Sequence, residues 1–233
     1  MLNNLNIFYK KKILIYGLGK SGLSVYKFLR KDNQIFKYDD KIKSDKKKIT
    51  KNKFDYIIIS PGIDINKCGL SKFLKNNLKK IYTDLDIFYS NHKKNHKITI
   101  TGTNGKSTTA KILYEVLKDQ KIDVRLVGNI GNPVLLEKKI TNNTVFVIEA
   151  SSYQLEYSKL FKSNISLILN ISPDHLERHK SINKYVGAKF KLIKNQSKND
   201  LAILNTKNFY INKELKFKKF LPKIIKIKKK IDK

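Results

Sequence analysis

Residues 97–110 read KITITGTNGKSTTA, and the order of residue types in this stretch decides the fold class. Residues 97–101 alternate as a short strand does, with Ile98 and Ile100 on one side. Gly102 and Gly105 supply a turn. From about Lys106 onward Ile112, Leu113, Val116 and Leu117 recur at helical spacing. A strand, a glycine turn, a Lys-Ser pair and a helix make a phosphate cradle. The turn aims backbone N–H groups at an anion, and the helix N-terminus adds about half a positive charge. The candidate ATP-binding residues are Gly102, Thr103, Asn104, Gly105, Lys106, Ser107 and Thr108. Lys106 is placed to reach the terminal phosphates, and Ser107 or Thr108 to hold Mg2+. The strict Walker spacing needs a glycine where Ile100 stands, so this is a shorter GTNGKS form. The competing reading is an ordinary glycine turn with a surface lysine; the flanking strand and helix favour phosphate binding.

Toward the N-terminus the pattern recurs. Residues 12–16, KILIY, form a buried-type strand, followed by GLGKSG at 17–22, a full GxGxxG. A helix over 23–30 points Val25, Phe28 and Leu29 inward, and a second strand over 34–38 ends in Asp39 and Asp40. Acidic residues about 20 positions past the first glycines are placed to meet a ribose or base hydroxyl, so this is a Rossmann-like start. A third strand, 55–59, delivers Ser60-Pro61-Gly62-Ile63 to its C-terminal end, where ligands bind in such sheets. A helix at 70–78, a short strand at 80–82 and a helical turn at 84–90 come next. The polar break NHKKN at 91–95 sets a boundary between domains 1–92 and 93–233. His92 and His96 there read as solvated linker residues.

Toward the C-terminus each polar cluster follows a strand. Strand 123–127 leads to Gly128-Asn129-Ile130-Gly131, strand 144–148 to Glu149-Ala150-Ser151, and strand 165–170 to Ser172-Pro173-Asp174-His175. A helix at 183–195 and a strand at 201–204 complete the series. The fold class is α/β: a Rossmann-like N-terminal domain, then a P-loop-type parallel-sheet ATP-binding domain. Residues 206–233 show little periodicity and end in lysines, and are expected to be a basic tail.

Composition narrows the function. The 233 residues are 40% hydrophobic, enough for one large domain or two small ones. The single cysteine, Cys68, excludes a disulfide framework. No signal peptide is evident, and no apolar run approaches the ~20 residues of a membrane span, so a cytoplasmic protein without membrane insertion is expected. The formal charge of +31 invites a nucleic-acid reading. Lysine is spread through every segment, however, beside many Ile and Asn residues, which reads as compositional drift and not as a binding stripe. Glu149 and His175 end successive strands beside the phosphate loop, and a carboxylate with an imidazole can supply two ligands to a divalent ion. Spacing alone stops at Mg2+-dependent nucleotide hydrolysis or transfer.

TGTNGKST, GNIG, IEASSYQLE, ILNISPDHLERH and YVGAKFKLI, in this order, resemble the Mur ligases of peptidoglycan synthesis. GLGKSGLS, SPGI and TDLDIF in the first domain agree, nearest to the members that join D-glutamate to UDP-N-acetylmuramoyl-L-alanine. The related folylpolyglutamate synthases usually carry a GKG loop. The resemblance runs from about residue 12 to 205. It implies ATP-dependent ligation through an acyl phosphate, with UDP-N-acetylmuramoyl-L-alanine, D-glutamate and ATP as substrates and two Mg2+ ions. It implies a catalytic set of Lys106, His175 and Lys189, with Ser107, Glu149, His175 and Lys189, the last as a carbamate, serving the metals. Asn129 would then contact substrate near the reacting carboxylate, and Ser151 would also bind substrate. In the first domain Lys20 and Ser21 would face the UDP diphosphate, Asp39 and Asp40 the uracil or ribose, and Gly62 would allow close approach. Lys20 departs from the apolar residue expected at its position. Family members also continue past this length into the rest of the central domain and a third domain, so the alternative is a truncated, non-catalytic UDP-sugar- or nucleotide-binding fragment. A monomer is expected.

Overall fold

The computed structural model describes residues 6–42 and 45–227. The chain divides into two compact units: residues 1–93 with 133–136 and 157–160, and residues 94–132 with 137–156 and 161–233.

The first unit is built on four parallel strands, β1 (Lys12–Tyr16), β2 (Gln34–Tyr38), β3 (Tyr56–Ile59) and β4 (Ile81–Tyr82), in the order β2-β1-β3-β4. The interior strand β1 is the apolar run KILIY, and its Ile13, Leu14, Ile15 and Tyr16 are all fully buried, as a parallel strand covered on both faces requires. Helix α1 (Lys20–Leu29) starts three residues before the position the sequence pattern suggests, directly out of the glycine turn. A Cβ on Gly22 would lie 1.8 Å from the Gly17 carbonyl oxygen, so this glycine lets the first helical turn pack onto the loop. Helices α2 (Lys46–Lys51), α3 (Ser71–Asn76) and α4 (Asp84–Asn91) complete the unit. Thr83 and Asp86 form a capping box at α4. The other oxygen of Asp86 accepts Ser158 Oγ (2.8 Å), Lys159 N (2.9 Å) and Leu160 N (2.8 Å), which ties residues 157–160 to this unit.

The second unit carries six parallel strands: β5 (His96–Thr101), β6 (Val124–Gly128), β7 (Val145–Glu149), β8 (Ile165–Ile168), β9 (Leu201–Asn205) and β10 (Lys223–Ile227), in the order β10-β9-β8-β5-β7-β6. Helix α5 (Lys106–Asp119) packs over β5, β6 and β7. Short helices α6 (Ser152–Glu156) and α7 (Leu176–His179) precede α8 (Ile182–Lys194) and α9 (Phe209–Phe217). The inward stripe of α5 is Ala110, Leu113, Tyr114 and Leu117; Ile112 and Val116, which share the apolar spacing, point outward at 59% and 53% exposure.

The expected basic tail is corrected. Residues 209–217 are helical and 223–227 form a strand in register with β9, Ile225 opposite Ile203. Asn208 caps α9 by accepting from Ile211 N, and Ile211, Tyr210, Leu215 and Ile224 join the core beneath α8. Residues 228–233 lie outside the described residues. No described helix is long and apolar enough to cross a membrane.

Candidate functional site

The phosphate loop leaves β5 at its C-terminal end and enters α5 through Gly105, whose φ of +82° is a left-handed conformation natural to glycine. Neighbouring residues hold the loop open. Asn170, just past β8, accepts Thr103 N at its carbonyl (2.9 Å) and Asn104 N at Oδ1 (2.9 Å), and its Nδ2 donates to Asn104 O (3.0 Å). Ser172 N donates to Thr103 Oγ1 (3.0 Å), which also bonds Tyr185 Oη of α8 (3.0 Å). Lys106 Nζ donates to Thr103 O (2.7 Å) within the loop. Motif spacing does not single out Asn170 or Tyr185. Their signal is position: a polar residue directly after a strand, and an aromatic in YVGAK one helical turn before Lys189.

Glu149 ends β7 beside this loop and is fully buried. Its Oε2 accepts Ser107 Oγ (2.7 Å) and its Oε1 accepts Asn129 Nδ2 (2.9 Å). Three residues singled out on separate strand ends and the helix start thus meet at one point. Both partners are neutral, and among the described residues no cationic side chain pairs with this carboxylate. Hard oxygens and an unneutralised buried charge beside a helix N-terminus are a donor set that fits Mg2+. Among the described residues no group of three or more His, Cys, Asp or Glu side chains is arranged to hold a metal ion by itself. The remaining ligands of such an ion would come from phosphate and water.

His175 does not share bonds with that group. It sits in the left-handed region (φ 53°) before α7, its side chain is 44% exposed, its ring lies tilted against Tyr153 with centroids 4.8 Å apart, and its Nε2 lies 3.4 Å from Asp174 Oδ2. The buried imidazole next to it is His179, which no motif spacing marks. His179 Nε2 bonds Ser152 Oγ (3.1 Å), and burial lowers its pKa. Lys189 is 1% exposed; its Nζ donates to Gly102 O (2.8 Å) and lies over the Tyr185 ring. Burial, with the charge of Lys106 second, lowers its pKa to about 7. Ser151 caps the start of α6, its N and Oγ donating to Gln154 Oε1.

In the first unit Asp39 and Asp40 are engaged within the protein. Asp39 accepts Leu18 N (2.6 Å) and Lys41 N (2.9 Å), and these backbone donors lower its pKa. Asp40 accepts Tyr16 Oη (2.6 Å) and Gly69 N (3.2 Å). Lys20 is exposed at the start of α1, and Ser21 follows it, half-buried. A side chain on Gly62 would meet nothing within 4 Å inside the chain. Asp84, at the start of α4, is buried, which pushes its pKa up to about 6, while a Ser21 hydrogen bond opposes the rise.

Residues 100–232 match the family model of the Mur ligase middle domain. A UDP-N-acetylmuramoylalanine--D-glutamate ligase of Rickettsia bellii is 35% identical over 226 residues, covering 88% of this chain and 48% of the relative. One of the same name from Caldicellulosiruptor saccharolyticus is 35% identical over 222 residues, covering 86% and 49%. The solved UDP-N-acetylmuramate:L-alanyl-gamma-D-glutamyl-meso-diaminopimelate ligase of Neisseria meningitides superposes with a TM-score of 0.59 at 15% identity, over 93% of this chain and 78% of that one, a likeness of fold. The chain spans about half the length of the curated relatives it matches.

Proposed function

The chain belongs to the Mur ligase family, and from that membership we propose that it supplies the UDP-substrate and ATP-phosphate sites of a ligase joining D-glutamate to UDP-N-acetylmuramoyl-L-alanine. The observation that carries this is the junction of Ser107, Glu149 and Asn129 at the mouth of the phosphate loop. In the reaction the L-alanyl carboxylate attacks the γ-phosphorus of ATP, an O–P bond forms, and ADP leaves. The amine of D-glutamate then attacks the acyl carbon, and phosphate leaves as the amide forms. Because a carboxylate is a poor electrophile, phosphorylation creates the leaving group, and the protein's part is positioning and charge neutralisation.

The turn from Gly102 to Thr108 would receive the phosphates on its N–H groups, and Lys106 Nζ would exchange its bond to Thr103 O for a phosphate oxygen. Bound Mg2+ would offset phosphate charge; Ser107 and Glu149 would hold one ion, His175 and a carbamate on Lys189 a second. Asn129 and Ser151 would orient the substrate carboxylate. In the first unit Lys20, Ser21 and Gly62 would lie along the UDP diphosphate and sugar, and Asp39 and Asp40 would set the backbone under the ribose. A cytoplasmic, monomeric enzyme accompanies this reading. The alternative, a binding fragment without turnover, draws on one observation, the half-length match to the relatives.

Titration calorimetry with Mg-ADP tests the phosphate site. Lys106→Ala should weaken binding by about ten- to a hundredfold, the value of a charge-assisted bond. Its thermal unfolding should stay that of the wild type, because Lys106 is only half-buried at the loop. Unchanged affinity in a folded variant would overturn the assignment.

A further inference from the structure

Helix α8 shows different chemistry on different sides. Tyr185 and Lys189 turn to the phosphate loop, where they bond Thr103 Oγ1 and Gly102 O. Another side carries Gly187, Lys191 and Lys194, at the four- and three-residue steps that share a helix face. This side and residues 218–221, which join α9 to β10, enclose a cavity of about 710 Å3. Small-molecule sites span about 300–1,000 Å3. The cavity lies wholly within the second unit, and the phosphate site makes no use of it.

Its lining divides by chemistry. Phe190, Phe220 and Leu221 form an apolar wall; the two rings lie 5.5 Å apart, tilted by 37°, and Leu221 is 74% exposed. The two carboxylates are already neutralised, Glu156 by Arg178 (2.9 Å) and Glu214 by Lys218 (2.6 Å). Lys191 Nζ donates to the Glu156 carbonyl. Lys194 and Lys219 are exposed, and among the described residues neither pairs with a carboxylate. Two uncompensated ammonium groups thus stand beside an aromatic wall. Gly187 supplies the floor. Glycine inside a helix costs stability relative to alanine, and packing within the chain does not require it here, because a Cβ at 187 would meet nothing within 4 Å. It leaves open backbone on which a flat ring fits. Lys191 and Lys194 follow it by about 6 and 10 Å along the helix axis, the reach of a ring with an anion attached.

We propose that this cavity binds a small phosphate monoester carrying a flat ring, with the ring on Gly187 against Phe220 and the phosphate between Lys194 and Lys219. The general charge of the chain draws any anion towards it; the glycine floor and the aromatic wall select one with a ring. A phosphate offers several charged acceptor oxygens to ammonium groups arriving from two segments. The inference does not rest on the ligase reading, since α8 separates this cavity from the phosphate loop.

The test titrates α-naphthyl phosphate into the 233-residue chain and follows naphthyl fluorescence, which no tryptophan obscures. Binding should saturate at one site, with or without Mg-ADP. Naphthalenemethanol and inorganic phosphate should each bind at least about tenfold more weakly. Gly187→Leu should abolish binding yet unfold thermally at or above the wild-type temperature, because leucine is the better helix former and the space is open. Lys194→Gln combined with Lys219→Gln should weaken binding by about tenfold or more. Lys75→Gln combined with Lys111→Gln, exposed on α3 and α5, removes the same charge elsewhere and should not. Equal affinity for naphthalenemethanol or for inorganic phosphate, displacement by Mg-ADP, unchanged binding in folded Gly187→Leu, or equal losses in the two lysine pairs would each overturn the proposal. So would binding to phosphatidylglycerol vesicles without binding to the soluble ester. If Gly187→Leu does not fold, the two lysine pairs decide.

Discussion

Lys189 and Lys97 are both 1% exposed, and the groups around them separate their roles. Lys189 stands behind the phosphate loop, with Gly102 O as its acceptor and Lys106 as the nearby like charge. With its pKa lowered to about 7, a sizeable share of the amine is neutral near neutrality. A neutral amine can attack CO2: the N–C bond forms, a proton leaves to water, and a cation becomes an anionic oxygen donor. Equilibration with 13C-bicarbonate should therefore give a carbamate resonance that Lys189→Met lacks; a resonance that persists in the variant would place the modification elsewhere. Lys97 lies in β5, its Nζ donating to Asn95 O. Burial and Lys162 lower it to about 8, with Asp200 opposing. Between about pH 8 and its unfolded value of 10.5 the unfolded chain holds a proton on Lys97 that the folded chain lacks, so stability rises with pH across that window. Urea unfolding followed from about pH 7.5 to 9.5 should show this rise, and Lys97→Met should show less of it. An equal slope in both proteins would mean that the folded pKa is not lowered.

At the scale of elements, the strands and loops legible in the sequence are those whose physics is local. KILIY, DYIII and VFVIE are apolar runs because interior parallel strands are covered on both sides, and KILIY leads directly into the glycine turn at 17–22. The stretch 206–227 was not legible. The KIIKI of β10 carries lysines because, among the described residues, it is an edge strand that the helices cover only in part, and α9 buries only Ile211 fully. Nor did spacing reveal the bonds that assemble the site. Asn170 clamps a loop 66 residues earlier, and Tyr185 reaches Thr103 across 82. Glu149 is paired with His175 by their strand-end positions and Ser107 is placed on Mg2+ by the phosphate loop; the fold brings Glu149 and Ser107 to 2.7 Å through the order β5-β7. His175, chosen on the same reasoning, follows β8 on the far side of β5 and turns its ring to Tyr153.

For the whole molecule the question is what these 233 residues, which span about half the length of the curated relatives they match, accomplish by themselves. The first unit holds its glycine turn by bonds from within itself: Asp39 to Leu18 N, and Ser60 Oγ to Gly17 O at 2.7 Å. Under the proposed function, UDP binding would draw on geometry already present in this unit. The phosphate loop is likewise braced by Asn170 and Tyr185 of its own unit. Ligation demands more. The acyl phosphate and the amine of D-glutamate must be held together in one water-excluding pocket, and such positioning is worth about 7–11 kcal/mol. Its loss corresponds to roughly five to eight powers of ten in rate. Purified residues 1–233 should thus bind UDP-N-acetylmuramoyl-L-alanine and Mg-ADP by calorimetry, yet release no phosphate that depends on added D-glutamate. Robust D-glutamate-dependent turnover by residues 1–233 alone would show that the amino-acid site is already built into these two units, and the half-ligase reading would have to be given up.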